Sequence, residues 1–208
     1  MAKLYVNFAT MEAGKSAQLL MEAYNFEKRG IGFLCMKPSI DNRESNEKIT
    51  SRIGIERECL TIYPEYDLYK IVNEIHKQEG QNKLLWILVD ESQFLTTKQV
   101  EQLRYIVDDL DVNVICYGIR TDFKTHLFEG SKRLVELSDD INELKISCEC
   151  GRKAIFNARF NDMGELVTSG KQILIGGSDI YKPMCSKCYR KAISKVSETS
   201  SFENNENF

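Results

Sequence analysis

Nowhere does this chain run apolar for the roughly 20 residues that a bilayer-crossing helix needs. Membrane partners are therefore not expected. A basic excess is missing too: 28 Lys and Arg stand against 31 Asp and Glu, a formal net charge of −3. Gripping nucleic acid takes a dense positive surface, so nucleic acid is also an unexpected partner. No signal-peptide pattern opens the sequence, and a cytoplasmic location is the default expectation. Internal repeats are lacking. What remains is a chain of 208 residues, 42% hydrophobic and 28% charged, with enough apolar content for a sizeable core. That length suits one domain with an appendage or two small domains.

The richest stretch comes first. Tyr5 to Ala9 is a short apolar strand, Thr10 to Ser16 a loop ending in Gly-Lys-Ser, and Leu19, Leu20, Ala23 and Tyr24 recur at helical spacing up to a stop at Gly30. Strand, loop and helix in this order match the phosphate-binding pattern G-x-x-x-x-G-K-[ST], with Ala9 in place of the first glycine. A bare Gly-Lys-[Ser/Thr] arises by chance in roughly one chain in ten of this length, so the flanking strand and helix carry the reading. In such a loop the backbone N–H groups and the helix dipole favour phosphate. Lys15 reaches the β- and γ-phosphates and the Ser16 hydroxyl ligates Mg²⁺.

Ile31 to Met36 is nearly continuous in apolar residues, as a strand buried on both faces of a parallel sheet would be. Lys37 to Arg57 is polar and without period. It is either a solvated loop or a flexible one that carries Arg43, with Arg52, to phosphate, since the planar guanidinium fork grips phosphate bidentately. A helix is predicted over Leu68 to Lys77. Leu84 to Val89 then forms an apolar strand that ends in Asp90 and Glu91. Ligands gather at the carboxyl ends of strands in open α/β sheets, and a carboxylate there helps hold Mg²⁺. The alternative is a helix start, where acids are also favoured. A further helix over Thr96 to Asp109 and a strand over Val112 to Tyr117 follow. Phe123 and Phe128 beyond that strand are either core lids or stacking platforms.

After Ile146 the composition shifts. Of seven cysteines, three are scattered, while Cys148, Cys150, Cys185 and Cys188 come as two close pairs. In a reducing compartment such pairs point to metal, and four thiolates make a closed tetrahedral, structural zinc site. Between the pairs, Phe156 to Arg159 and Gln172 to Ile175 are predicted to pair as strands. Gly176-Gly177 permits close backbone approach to a ligand. The Ser/Glu/Asn-rich stretch from residue 195 is expected to be disordered.

Taken in order, 9–16, Asp41-Asn42-Arg43, Val89-Asp90-Glu91-Ser92-Gln93-Phe94, Tyr117 to Phe123, Cys148 to Ala154, Ile175 to Tyr181 and the final Cys-x-x-Cys resemble the zinc-containing cytosolic thymidine kinases, in their bacterial branch. The likeness spans about residues 1–192. It implies a RecA-like P-loop α/β domain with a parallel sheet over 1–146 and a small zinc-binding lasso domain over 147–194 covering the nucleoside, with 195–208 as a tail. The activity implied is transfer of the γ-phosphate of ATP to the 5′-hydroxyl of thymidine, and of deoxyuridine as well.

By the same resemblance Glu91 is the general base, with Lys15 and Arg43 neutralising charge. Ala9, Thr10, Met11, Glu12, Ala13, Gly14, Lys15, Ser16, Asp90, Glu91, Ser92 and Gln93 belong to the ATP site, and Asp41 joins Ser16 on the magnesium side. Met11, Phe94, Ile119, Phe123 and Phe128 line the thymine pocket, which favours the platform reading of the two phenylalanines. Asn157, Gln172, Ile173, Leu174, Ile175, Gly176 and Tyr181 belong to the lasso that reads the base; Asn157 stands where threonine is common. The resemblance further implies a homotetramer and feedback inhibition by thymidine triphosphate. Two rival readings are an ATPase motor, for which no long coupling element is present, and a zinc-ribbon module for nucleic acid, which the net acidity opposes.

Overall fold

The computed structural model describes residues 1–40, 47–78, 83–173 and 180–203, with backbone alone over 196–203. Residues group into two units by contact. The first comprises Met1–Ala9, Gly14–Arg120 and Leu127–Leu144; the second comprises Thr10–Ala13, Thr121–His126 and Lys145–Phe208.

Through the first unit the elements run β1 (Leu4–Ala9), α1 (Lys15–Lys28), β2 (Gly32–Pro38), β3 (Lys48–Thr50), β4 (Glu56–Glu58), β5 (Leu60–Ile62), α2 (Leu68–Gln78), β6 (Leu84–Val89), a 3₁₀ turn at Ser92–Phe94, α3 (Thr97–Leu110), β7 (Asn113–Ile119), α4 (Glu129–Leu137) and β8 (Asp140–Glu143). Six of the strands form one parallel sheet in the order β5-β2-β6-β7-β1-β8. Side chains alternate across it. Leu4, Val6, Phe8, Ile87, Val89, Val114 and Cys116 join residues of α2, α3 and α4 in one core. Leu88, Tyr117 and Cys35 join Leu19, Leu20, Ala23 and Phe26 of α1 in another. Each such apolar side chain, fully buried, stabilises by about 1.5–3 kcal/mol. With both faces covered the strands must read as apolar runs, and the expected α/β class with a parallel sheet is the one observed.

Helix ends follow the sequence closely. Gly30 adopts φ +66, and the Ile31 N–H reaches back to the Phe26 carbonyl at 2.9 Å, closing α1 where glycine alone is unstrained. Thr96 and Gln99 exchange side-chain and backbone hydrogen bonds in a capping box that starts α3.

The polar stretch after Lys37 holds more structure than its composition predicts. β3 and β4 form an antiparallel hairpin with Ile49 buried against α1, and β5 adds the edge strand beside β2. Strands of three residues are too short to show a period. Helix α4 also went unread, because only one apolar residue in its first two turns, Leu134, is buried.

The second unit contains β9 (Phe156–Phe160), β10 (Ile180–Met184) and α5 (Ser186–Glu203). β9 pairs antiparallel with β10. Gln172 and Ile173 lie outside any strand, and Leu174 and Ile175 are outside the described residues. α5 runs on through Glu203, into the stretch whose composition predicts disorder. Ala158, Leu166 and Tyr189 form a small core, with Phe156 and Phe160 packed against it.

Candidate active site and candidate metal centre

In the first unit β6, β7 and β1 are neighbours in a parallel sheet, so their carboxyl ends share one edge. Asp90 to Phe94 leave β6 there and Ile119 ends β7 there. Gly14, at φ +75, opens α1 and accepts the Gln18 N–H at 3.0 Å. Lys15 follows it, only 8% exposed, and the Ser16 hydroxyl donates to Asp90 Oδ2 at 2.7 Å. The lysine loop and the strand-end carboxylate, 74 residues apart in sequence, are thus one constellation.

Asp90 is buried, and burial pushes its carboxyl up to about 7, helped by the charge of Glu91; the Ser16 hydroxyl, Lys15 and the Glu91 N–H act in the opposite sense. A carboxylate so costly to ionise alone is suited to a cation partner. Glu91 is half-buried in a left-handed backbone conformation, φ +49 and ψ +38, which a non-glycine residue adopts only when its neighbours hold it. Its N–H donates to Asp90 Oδ1 at 3.0 Å.

Ser92 and Gln93, expected beside ATP, are turned into the protein, 0% and 2% exposed. The Gln93 amide is committed at both ends: Nε2 donates to Glu91 Oε2, and Oε1 accepts the Ile119 N–H at 3.0 Å. Two glycines permit this. A Cβ on Gly118 would stand 2.6 Å from Ser92 Oγ and 2.8 Å from Gln93 Oε1, and one on Gly130 would stand 2.7 Å from the Ser92 and Leu95 carbonyl oxygens. The sequence reading took Gly118 only as part of a turn and did not single out Gly130. Nearby, the Phe94 and Phe128 rings meet edge-on at 5.8 Å, and the Ile119 carbonyl accepts the Ser131 hydroxyl.

Other predicted residues lie in the second unit. Thr10 is buried, Met11 and Ala13 are half-buried, and Glu12 is exposed at φ +67. The Met11 N–H donates to Asn157 Oδ1 at 2.7 Å. Phe123 is 1% exposed, with the Arg159 guanidinium 5.0 Å from its ring centre and the Tyr189 hydroxyl donating to its carbonyl. Phe123 and Phe128, paired in the sequence reading, therefore fall in different units. Gln172 Nε2 donates to Asp122 Oδ2 at 3.1 Å, and Tyr181 stands opposite Arg159 in the ribbon. Asp41, Arg43, Leu174, Ile175 and Gly176 lie outside the described residues.

Asp122 is the residue that sequence reasoning missed. Its Oδ1 accepts the N–H groups of Lys124 and His126, both at 2.9 Å, and its own N–H donates to the His126 carbonyl. An aspartate just past a strand end, ahead of polar residues, is the available signal for such a turn.

The four cysteines converge, as their pairing predicts. Their Sγ atoms lie within 4.8 Å of one another, and Cys150 and Cys185 are 3.6 Å apart. Four thiolates around a tetrahedral ion at about 2.3 Å stand about 3.8 Å apart, so the set can hold a metal ion. The knuckle is preformed: Gly151, at φ +81, donates its N–H to the Cys148 carbonyl at 2.8 Å, and Cys148 donates to the Arg152 carbonyl. The Cys188 N–H holds the Cys185 thiol down at about 6, with the other thiols helping against burial. The N–H groups of Cys150 and Cys185 hold Cys148 below its ordinary range, while the three neighbouring thiols push Cys188 up to about 12.

Comparison with known proteins covers nearly the whole chain. Residues 2–189 match the thymidine kinase family model. A thymidine kinase of Pasteurella multocida is 49% identical over 193 residues, 93% of this chain and 99% of that protein. One from Haemophilus influenzae is 45% identical over 94% of this chain and 100% of its own length. A thymidine kinase of Enterobacteria phage T4 is also 45% identical, again over 94% of this chain and 100% of its own.

Proposed function

The chain belongs to the thymidine kinase family, and from that premise we propose how its residues divide the phosphorylation of thymidine to thymidine monophosphate by ATP. The observation that carries the reading is the Ser16–Asp90 hydrogen bond, which joins the lysine loop to the strand-end acids.

The N–H groups opening α1 and the Lys15 ammonium bind the β- and γ-phosphates, the helix terminus favouring their charge. Ser16 and Asp90, with Asp41, hold the magnesium side. Magnesium bound with ATP supplies neutralisation of phosphate charge. Glu91 accepts the proton of the 5′-hydroxyl as the phosphoryl group leaves ATP, and Lys15 and Arg43 stabilise the charge that develops. Gln93 and Ser92 act from behind. The Gln93 amide, anchored on the Ile119 N–H, fixes the carboxylate of Glu91 in one orientation. Ala9, Thr10, Met11, Glu12, Ala13 and Gly14 complete the phosphate loop.

By the family likeness, Met11, Phe94, Ile119, Phe123, Phe128, Tyr181 and the backbone of Gln172, Ile173, Leu174, Ile175 and Gly176 serve thymine recognition. The four cysteines would hold zinc, a structural ion that would brace the second unit. Deoxyuridine is a second acceptor, thymidine triphosphate a feedback inhibitor, and the working form a cytoplasmic homotetramer.

The test is ATP consumption over a panel of nucleosides. Turnover confined to thymidine and deoxyuridine, with one zinc per chain, is the expected result. ATP hydrolysis at the same rate without a nucleoside would overturn the assignment of Glu91 to a sugar hydroxyl.

A further inference from the structure

We propose that Asn157 is a positioning residue for the phosphate loop, fixing the backbone at Met11, and not a reader of the thymine base. Its side chain is 2% exposed. Oδ1 accepts the Met11 N–H at 2.7 Å, and Nδ2 donates to the Thr121 carbonyl at 3.3 Å. An amide has one oxygen and one NH₂ group, and here both ends are engaged within the protein.

Both partners matter. Met11 precedes Glu12, which holds φ +67, a left-handed conformation that a glutamate keeps only under constraint. A hydrogen bond to the preceding N–H, from a buried side chain, is such a constraint. On the other side Thr121 leads into the turn that Asp122 stiffens through the N–H groups of Lys124 and His126 and through Gln172. Asn157 itself is seated on β9 opposite Pro183 of β10. It therefore ties a strained loop segment to a stiff turn and a registered ribbon, all within the second unit. A phosphate loop works through the orientation of its N–H groups, so a residue that sets the loop's backbone acts on ATP.

The inference rests on the reading of residues 9–16 as the ATP loop, and the experiment separates the two. Asn157→Leu keeps the branching at Cγ in a bulkier side chain and leaves the Met11 N–H and Thr121 carbonyl without partners. Asn157→Asp keeps the acceptor for Met11, loses the NH₂ donor to Thr121 and, when ionised, sets a negative oxygen against the Thr121 carbonyl. Steady-state constants for both substrates, calorimetric affinity for a non-hydrolysable ATP analogue and melting temperatures are measured on the full enzyme. Asn157→Leu is expected to weaken ATP about tenfold while the thymidine constant stays within about twofold, the scale of one buried hydrogen-bonding group left unpaired. Asn157→Asp is expected to recover part of that loss. Should the leucine variant fail to fold, Asn157→Ala carries the same contrast with Asn157→Asp. A rise confined to the thymidine constant in both variants would overturn the proposal in favour of base reading. Equal melting losses with ATP affinity unchanged would overturn it in favour of a scaffold role. Lys15→Ala tests the premise: unaltered binding of the analogue there would remove the loop from ATP binding, whatever the Asn157 variants do.

Discussion

In the first unit the chemistry-bearing residues stand on a parallel sheet with an apolar core on each face; Lys15, Asp90 and Gln93 are nearly buried where α1 starts and β6 ends. The second unit has no comparable core among its described residues. Its small cluster is Ala158, Leu166 and Tyr189, and the rest is held by side-chain amides, the Asp122 turn and four convergent thiols. The first can hold a strained residue such as Glu91 against a packed scaffold. The second leans on individual polar staples and on four thiols that could hold a metal ion, so single substitutions there should disturb structure and affinity together. In the first unit they should disturb chemistry while leaving the fold alone.

Lys15→Ala is the most severe test of that contrast. It deletes a nearly buried positive charge from the proposed phosphate site and should lower turnover by about 10⁴-fold or more, a barrier change of several kcal/mol. The melting temperature should hold within about 2 °C. Turnover above a tenth of the parent at saturating ATP would sink the phosphate-loop reading.

Glu91→Gln comes next. It keeps shape and hydrogen-bonding capacity but cannot take a proton, so turnover should drop about 10³-fold while calorimetric thymidine affinity is retained. Loss of binding instead would make Glu91 a residue that holds the sugar.

On the other side of the comparison, Cys185→Ser removes one of the four clustered thiols that could hold a metal ion. Zinc content should fall well below one per chain, the melting temperature by roughly 5–10 °C and thymidine affinity by about tenfold. A variant with full zinc and parent stability would show that the second unit does not lean on its metal.

The smallest effect belongs to the frame of the first unit. The Asp139 carboxylate accepts the Leu4 N–H and the Arg104 guanidinium at 2.7 Å each; burial opposes ionisation, but these partners hold its pKa below the ordinary value. A depressed carboxylate stabilises above its unfolded pKa and loses that contribution as pH falls through the folded one. Asp139→Asn should thus cost only about 1–2 °C at pH 7, the pair being partly exposed, with the gap closing toward pH 3. A gap unchanged at pH 3 would mean that shape, not charge, is what Asp139 supplies.

Local chemistry wrote much of this molecule into the sequence. Strands β1, β2, β6 and β7 of the sheet were legible because burial on both faces forces continuous apolar runs, as in Leu84 to Val89, and Gly30 and Thr96 mark helix ends through backbone requirements that no neighbour alters. The Gly-Lys-Ser loop, the paired acids and the paired cysteines were legible because each ligand chemistry demands fixed residue types at short spacing. Only the tertiary structure could decide which side chains those residues leave free. It gave β9 the partner β10, turned Ser92 and Gln93 inward over Gly118, made Asp122 the centre of a turn, and engaged both ends of Asn157. The reason is physical. A polar side chain's role is set by which donors and acceptors remain unpaired once the chain has folded, and those partners lie up to 146 residues away, as between Met11 and Asn157.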